Sequence, residues 1–163
     1  MIPILALSDI NYSYHELSGE TKALENISFT VNPGEFIAIV GPSGCGKSTL
    51  LSLIAGLLVP GSGSLTLNGS PISSVKSKIG YMLQKDHLFE WRSILSNVLL
   101  GLEIHKNVND VTRSKALELL KTYGLEEFSD AKPSQLSGGM RQRVALIRTL
   151  VLEPELLLLD EPF

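Results

Sequence analysis

Apolar positions along the chain change between two periods, one typical of strands and one typical of helices. The strand-like runs are Phe36 to Val40, Leu65 to Leu67 and Lys78 to Gln84. The runs of helical length and period are Leu50 to Leu58, Ser93 to Tyr123, in which Leu117 and Leu120 share one face, and Ser134 to Leu152. This order predicts a layered α/β core with a helical insertion from about Ser93 to Leu152.

Several shorter segments refine this outline. The opening run Met1 to Leu7 is apolar but broken by Pro3, and it predicts an edge strand. Gly61 to Ser64 predicts a loop, and Asn68-Gly69 predicts a turn after the strand that precedes it. Leu156 to Leu159 is either a buried strand or a fragment of a buried helix, and its length of four residues favours the strand.

Composition excludes several classes of protein. The 163 residues carry 14 Lys and Arg against 17 Asp and Glu, a formal charge of -3 and a hydrophobic fraction of 44%. Such a chain can bury a full core, which excludes a disordered tail. The slight acidic excess argues against nucleic acid as a partner, since domains that bind it usually carry a basic excess. Without a basic leader or a long apolar run, we expect a cytosolic protein.

The first candidate site is the run Gly41-Pro42-Ser43-Gly44-Cys45-Gly46-Lys47-Ser48-Thr49, which matches G-x-x-x-x-G-K-[ST]. Glycines let successive backbone N–H groups turn toward phosphate oxygens, and the following helix presents its positive end to the same anion. Lys47 is expected to reach the β- and γ-phosphates, and the hydroxyl of Ser48 to ligate Mg²⁺. A glycine-rich turn without a ligand is the alternative, but it has no need of Lys and Ser at this spacing.

Two consecutive carboxylates follow the four-leucine run. Asp160 and Glu161 stand at the end of the predicted strand, where open α/β sheets place their ligands. We expect Asp160 to hold magnesium through water and Glu161 to polarise the attacking water as general base. The alternative is a solvated Asp-Glu turn after a buried strand.

A second helix start has the composition of an anion site. In the segment Leu136 to Arg143, Ser137, Gly138 and Gly139 precede a helix whose apolar face carries Val144, Ile147 and Val151. The chain would then hold two phosphate-binding helix starts. Taken in isolation, a Ser N-cap with a Gly-Gly turn is the simpler interpretation.

Together these motifs resemble those of the ATP-binding subunits of ABC transporters, in the family's order and over essentially the whole chain. Gly41 to Thr49 corresponds to Walker A, Leu136 to Gln142 to the signature motif, with Met140 in place of the more common glutamine, and Leu156 to Glu161 to Walker B. The resemblance implies a P-loop NTPase core with an N-terminal antiparallel β portion, a helical subdomain and a missing C-terminal part of the sheet. The implied divisions are 1–92, 93–152 and 153–163.

The resemblance also implies further roles. Gln84 corresponds to the glutamine that touches the metal and couples to the membrane subunit. Tyr14 falls where the family places the aromatic residue that stacks on adenine, with Tyr12 as its rival and an ordinary strand aromatic as the alternative. In the family two such domains meet head to tail, so that each ATP lies between Walker A of one copy and Ser137 to Met140 of the other.

The implied partners are a second ATP-binding domain, transmembrane permease subunits and, indirectly, a solute-binding protein. The implied location is the inner face of the cell membrane. The segment Leu88 to Arg92 and the run Asp160 to Phe163 are similar to those of nitrate, sulfonate, taurine and pyrimidine-precursor importers, although Trp91 could instead be a core anchor of the helical insertion. We therefore expect an ATPase that powers import of a small solute, namely an organic or inorganic anion.

Two rival interpretations stay open at this point. The first is a soluble ABC ATPase of DNA repair or translation, against which the short helical insertion argues. The second is a truncated, non-catalytic ATP-binding fragment, because the family pattern continues past Walker B into a D-loop and a switch histidine. The expectation is therefore that the chain binds ATP and turns it over poorly.

Overall fold

The computed structural model of the chain describes residues 2–16, 19–75 and 78–161. Met1, Pro162 and Phe163, which carry part of the predicted first strand and of the importer-like ending, lie outside the described residues. The chain forms two units, Met1–Ile79 and Gly80–Phe163. The three-part division into residues 1–92, 93–152 and 153–163 stays a prediction.

The first unit is built on a four-stranded antiparallel sheet. Its strands are β1 (Leu5–Glu16), β2 (Gly19–Val31), β3 (Ser62–Leu67) and β4 (Ser70–Pro71), in the order β2-β1-β3-β4. Leu5 pairs with Val31 on one side and with Leu67 on the other. The prediction of an edge strand at the start of the chain is therefore wrong, because β1 is an interior strand of this sheet.

A bulge in β1 keeps its apolar residues on one face. Leu5, Leu7 and Ile10 are all buried, although alternation alone would turn Ile10 away from Leu7. The pairing register shifts between Leu7 and Ile10, where Asp9 takes a φ of 51°. The extra residue restores the inward direction of Ile10.

The two remaining strands agree largely with the sequence. The residues of the Asn68-Gly69 turn take φ values of 50° and 76°, the left-handed pair that a tight hairpin requires. Leu65 and Leu67 are buried on the inner side of β3. The strand begins already at Ser62, so most of the segment predicted as a loop pairs with β1 instead.

The first unit also holds helices α1 (Lys47–Ile54) and α2 (Ile72–Val75). The inner face of α1 is buried, and it carries Leu50, Leu53 and Ile54. Residues 36–40 form no strand, contrary to prediction, and Phe36 and Val40 are 89% and 91% exposed. A strand is stabilised by neighbours on its edges and faces, and β-forming side chains alone do not supply them.

The second unit is mainly helical. It contains α3 (Ile94–Ile104), α4 (Asp110–Thr122) and α5 (Gly138–Leu150), with short 3₁₀ segments at Glu126–Phe128 and Pro133–Gln135. The core residues Ile94, Val98, Leu120, Leu125, Val144 and Ile147 are completely or almost completely buried. The segment predicted as helical from Ser93 to Tyr123 is thus two helices. Asn109 starts the second of them with a reciprocal capping box that also involves Thr112.

Solvent exposure within α4 and α5 tests two predicted faces. Val144, Ile147 and Val151 are all buried, as the helical period predicts. Leu120 is buried as well, but Leu117 is 37% exposed. The predicted face of α4 is therefore only partly correct, because Leu117 lies at the edge of its apolar stripe.

Strands β5 (Ile79–Met82) and β6 (Leu156–Leu159) form a separate two-stranded sheet. The backbone N–H of Asp160 donates to the carbonyl of Met82 at 3.0 Å. Both strand predictions are confirmed, and the four leucines are a strand rather than a helix fragment. Within the described ranges, no helix combines the length and apolar character needed to span a bilayer.

Candidate functional site

The glycine-rich loop ahead of α1 has the backbone shape of an anion cradle. Gly44 and Gly46 take φ values of 80° and 94°. Gly46 is the N-cap of α1, and among the described residues no side chain accepts a capping hydrogen bond at that helix start. A Cβ on Gly46 would lie 2.6 Å from the carbonyl oxygen of Ala23. Glycine is therefore required here on two grounds, its left-handed backbone and its close approach to Ala23.

Lys47 lies along the same loop. Its Nζ donates to the carbonyl oxygens of Gly41 and Pro42, each at 2.8 Å. These bonds hold the ammonium group beside the backbone amides that would face a phosphate. Cys45 is exposed in the loop, with its Sγ 3.8 Å from the same Nζ. Loop backbone and Lys47 together fit a bound polyphosphate.

Of the two candidate tyrosines, Tyr14 is joined to this loop. Its hydroxyl lies 3.1 Å from Oγ1 of Thr49 in the first turn of α1, and the residue is 41% exposed. The Tyr12 ring meets the Tyr14 ring edge-on, with centroids 5.0 Å apart. Tyr12 also lines a shallow cavity of about 340 Å³ with His15. The stacking of either ring on adenine stays a prediction.

The structure brings Gln84 and Glu161 into direct contact. The side-chain amide of Gln84 donates to Oε2 of Glu161 at 2.5 Å. Asp160, which precedes Glu161 in the sequence, is buried, and the hydroxyl of Tyr81 donates to its Oδ2 at 3.4 Å. Within the second unit, Asp160 and Gln84 offer carboxylate and amide oxygens, which are among the ligands that Mg²⁺ prefers.

The signature segment combines a conventional cap with unexplained glycines. Oγ of Ser137 accepts the backbone N–H of Met140 at 3.3 Å, so the simpler interpretation of Ser137 as an N-cap is confirmed. Ser137, Gly138 and Gly139 are exposed. A Cβ on either glycine would meet nothing within 4 Å among the described residues. Crowding within the described chain therefore does not account for the two glycines.

The sequence did not reveal Asp86, which accepts hydrogen bonds from two of the three arginines of α5. Arg141 Nε donates to Asp86 Oδ2 at 2.8 Å, and Arg148 donates to the Asp86 carbonyl oxygen at 2.7 Å. Arg143 also contacts its own unit, where it donates to the carbonyl oxygen of Tyr123 at 2.9 Å. A signal was present, since residues seven apart share a helix face. That spacing predicts a common partner for Arg141 and Arg148.

The pKa values of Asp86, Arg141 and Arg148 all depart from their ordinary values. Partial burial acts to raise the pKa of Asp86, but hydrogen bonds from Arg141 and from the Leu88 amide lower it overall. The hydrogen bond to Asp86 raises the pKa of Arg141. Burial lowers the pKa of Arg148, and the Asp86 charge opposes that shift. The cluster is therefore charged at neutral pH.

Asn97 is a second residue that the sequence did not reveal. It is completely buried, and its Nδ2 donates to the carbonyl oxygens of Phe89, Arg92 and Ser93 at 3.1, 3.3 and 3.0 Å. Its Oδ1 accepts the Phe89 amide at 2.8 Å. Trp91 in this loop is 72% exposed, so its interpretation as a core anchor is wrong.

Comparison with known proteins agrees with this arrangement of motifs. The sequence profile of the family described as ABC transporter matches residues 24–163. The chain belongs to the ABC transporter family. It is 47% identical over 159 residues to the ABC transporter ATP-binding protein YtlC of Bacillus subtilis (strain 168), covering 98% of this chain and 61% of that protein.

Two further members of the family are similar over nearly the same length. The taurine import ATP-binding protein TauB of Pelagibacter ubique (strain HTCC1062) is 43% identical, over 97% of this chain and 60% of its own. The ATP-binding cassette MJ0796, solved as a dimer in a post-hydrolysis state bound to ADP and Pi, superposes with a TM-score of 0.86. That match has 34% identity and covers 97% of this chain and 74% of the other.

The expected fold class is confirmed by this superposition on an ABC cassette. The chain spans about three fifths of the length of the curated relatives named here. ATP is the ligand class of the family, and MJ0796 shows that a cassette of this kind forms dimers.

Proposed function

We propose that this chain is the ATP-binding and ATP-hydrolysing part of an ABC importer for a small solute. The observation that carries the proposal is the start of α1, where the left-handed Gly46 turns the glycine-rich loop into the helix and Lys47 Nζ lies against the loop carbonyls of Gly41 and Pro42. A helix N-terminus with an adjacent ammonium group is suited to the triphosphate of a nucleotide.

In the proposed reaction, water attacks the γ-phosphorus of ATP. The bond from that phosphorus to the bridging oxygen of ADP breaks, and the products are ADP and inorganic phosphate. The loop amides and Lys47 orient the phosphates and offset their negative charge. Ser48, Asp160 and Gln84 would hold Mg²⁺, and that ion would supply positive charge to offset the charge of the phosphates. Glu161 accepts the proton of the attacking water as general base. Gln84 orients the Glu161 carboxylate through the hydrogen bond that its side-chain amide donates.

The proposal includes a head-to-tail dimer. Its support within this chain is the exposed signature segment, in which a Cβ on Gly138 or Gly139 would meet nothing among the described residues. Glycines allow a nucleotide on a second copy to approach this backbone closely. Ser137 and Met140 complete the proposed contact, and Tyr14 is the proposed adenine-stacking residue.

The remaining partners follow from the kind of protein that the chain is similar to. A taurine import ATP-binding protein is among its relatives, which supports an importer of a small organic or inorganic anion. The proposed subunit is peripheral on the inner face of the cell membrane. It binds transmembrane permease subunits and acts indirectly on a solute-binding protein.

Titration calorimetry with Mg-ATP tests the nucleotide site. Lys47→Ala should weaken binding by one to two decades, since a charge-assisted phosphate contact is worth about 1.5–3 kcal/mol. Lys22→Ala is the matched control, because Lys22 is an exposed lysine of the same unit whose ion pair with Glu25 lies in β2. Equal affinity for the Lys47 variant and the parent would refute the proposal.

A further inference from the structure

One face of α5 is fastened to the irregular segment that follows β5. Residues 84–92, called here the connecting segment, form no helix or strand. The guanidinium of Arg148 spans two of its carbonyl groups, donating from Nη1 to His87 O at 2.8 Å and from Nη2 to Asp86 O at 2.7 Å. The half-buried arginine therefore holds the backbone of the segment, independently of which side chains stand there.

Two neighbouring residues of α5 extend the contact toward Gln84. Arg141 bonds the Asp86 carboxylate through Nε and Nη2 at 2.8 and 3.3 Å, and it lies 3.5 Å from the Glu90 carboxylate. Gln142 Nε2 donates to the carbonyl oxygen of Gln84 at 3.2 Å. The segment is thus bonded to α5 at Gln84, Asp86 and His87.

The other end of the connecting segment carries an exposed aromatic pair. The ring of Trp91 lies against that of Phe89, with centroids 4.7 Å apart. Phe89 is fixed from the opposite side by Asn97 of α3. Lys132 donates to the Trp91 carbonyl oxygen at 2.8 Å. Trp91 is therefore an exposed group at the end of a short, hydrogen-bonded path from α5.

We propose that Arg148, assisted by Arg141, is a positioning residue that makes the Trp91 surface move with the signature helix. The inference rests on the proposed function, because Gln84 and the Ser137 end of α5 are the two places where the proposed nucleotide meets this unit. Contact with the nucleotide at either place then displaces Trp91. The two hydrogen bonds from Arg148 to the connecting segment transmit this movement between α5 and Trp91. Neither arginine touches the nucleotide in this scheme.

The test compares three variants of the chain. Arg148→Gln removes the guanidinium that donates to both carbonyl groups. Arg148→Lys keeps the positive charge but has a single ammonium group in place of the guanidinium. Arg143→Gln is the matched control, since it removes the same charge from α5 but loses a bond to the Tyr123 carbonyl instead. Amide hydrogen exchange of residues 84–92 is measured without nucleotide. Trp91 is the one tryptophan of the sequence, so its emission and anisotropy are then measured with and without Mg-ATP.

Exchange in the connecting segment should be about tenfold faster in Arg148→Gln, less affected in Arg148→Lys and unchanged in the control. Mg-ATP should alter the Trp91 signal in the parent and control but not in Arg148→Gln, whose nucleotide affinity stays within about twofold of the parent. Unchanged exchange in Arg148→Gln would overturn the proposed contact. Faster exchange with an intact Trp91 response would overturn its positioning role.

Different results would refute the proposed function and the proposed role of Arg148. A parent chain that does not bind Mg-ATP would refute the proposed function, while hydrogen exchange still decides whether Arg148 holds the connecting segment. Should Arg148→Gln fail to fold, Arg148→Lys carries the same comparison, because it retains the charge. A Trp91 response in that variant equal to the parent's, with exchange raised, would again overturn the positioning role.

Discussion

The amide of Gln84 donates directly to the carboxylate of Glu161, across 77 positions of sequence. Gln84 follows β5 and Glu161 follows β6, and these two strands form one sheet. The glutamine expected to couple to a membrane partner and the carboxylate expected to activate water are thus hydrogen-bonded to each other. The hydrogen bond fixes the position of the Glu161 carboxylate relative to the end of β5.

Glu161→Gln should keep ATP binding and lose hydrolysis. The amide cannot accept the proton of the attacking water, and positioned proton transfer is worth about 10²–10⁴ in rate. Phosphate release should be followed in a chain of the full length of the relatives, with affinity measured in parallel. Glu127→Gln, a change at an exposed glutamate of the helical unit, serves as control. Parental turnover by Glu161→Gln would contradict the role.

Asn97→Leu should lower the free energy of unfolding of the helical unit by about 2–4 kcal/mol. The substitution removes every partner that Asn97 provides to the buried loop, and each unsatisfied buried group costs about 1–3 kcal/mol. Asn109→Ala removes only an exposed N-cap and should cost about 1 kcal/mol. Urea unfolding followed by circular dichroism compares the two. Equal losses would show that the loop does not depend on Asn97.

Gly63→Ala should lower the melting temperature more than Gly69→Ala. Both glycines have positive φ, 90° and 76°, so both substitutions carry a backbone strain of about 1–2 kcal/mol. A Cβ at Gly63 would also lie 2.4 Å from the carbonyl oxygen of Asp9 in the β1 bulge, whereas one at Gly69 meets nothing within 4 Å. Calorimetric melts of the two variants measure the difference. The same melting temperature for both would argue against a close contact at the bulge.

Asp86 should make stability depend on pH in the acid range. Its pKa is lowered in the folded chain, chiefly by Arg141 against the effect of burial, with a small contribution from the His87 charge. The stabilisation is therefore present above the ordinary Asp value of about 3.9 and is lost as pH falls through the lower folded value. The other charged groups of the cluster are Arg148 and Glu90.

The comparison with Asp86→Asn isolates this effect. The difference in unfolding free energy between parent and variant should be constant from about pH 7 to pH 5 and should shrink below about pH 4. Urea unfolding at each pH gives that difference. A difference that grows as the pH falls would mean that the protonated carboxyl, rather than the carboxylate, is the stabilising form.

Local signals in the sequence predicted local structure well. The spacing of Gly46, Lys47 and Ser48 predicted a helix start, and the structure places α1 at Lys47. The pair Asn68-Gly69 predicted a turn, and the structure has a two-residue turn there with positive φ at both positions, which few other residues tolerate. Each of these features is decided by a few adjacent residues.

Features that depend on distant partners were missed or predicted wrongly. Residues 36–40 have the composition of a strand, but composition does not supply the neighbours that stabilise one. The interior position of β1 depends on β3, which joins it from 50 or more residues away. Asp86 and Asn97 bond to groups brought near by helix packing, so neither stood out as a motif.

The open run at residues 36–40 has a consequence for handling the protein. Phe-Ile-Ala-Ile-Val is uncharged, free of proline and rich in β-forming residues, and its end residues are almost fully exposed. Segments of this kind template cross-β association between chains. Glu35 on one side and Pro42 on the other are natural gatekeepers, yet neither lies within the run. We therefore expect the protein to aggregate increasingly as its concentration rises, at temperatures well below the melting temperature.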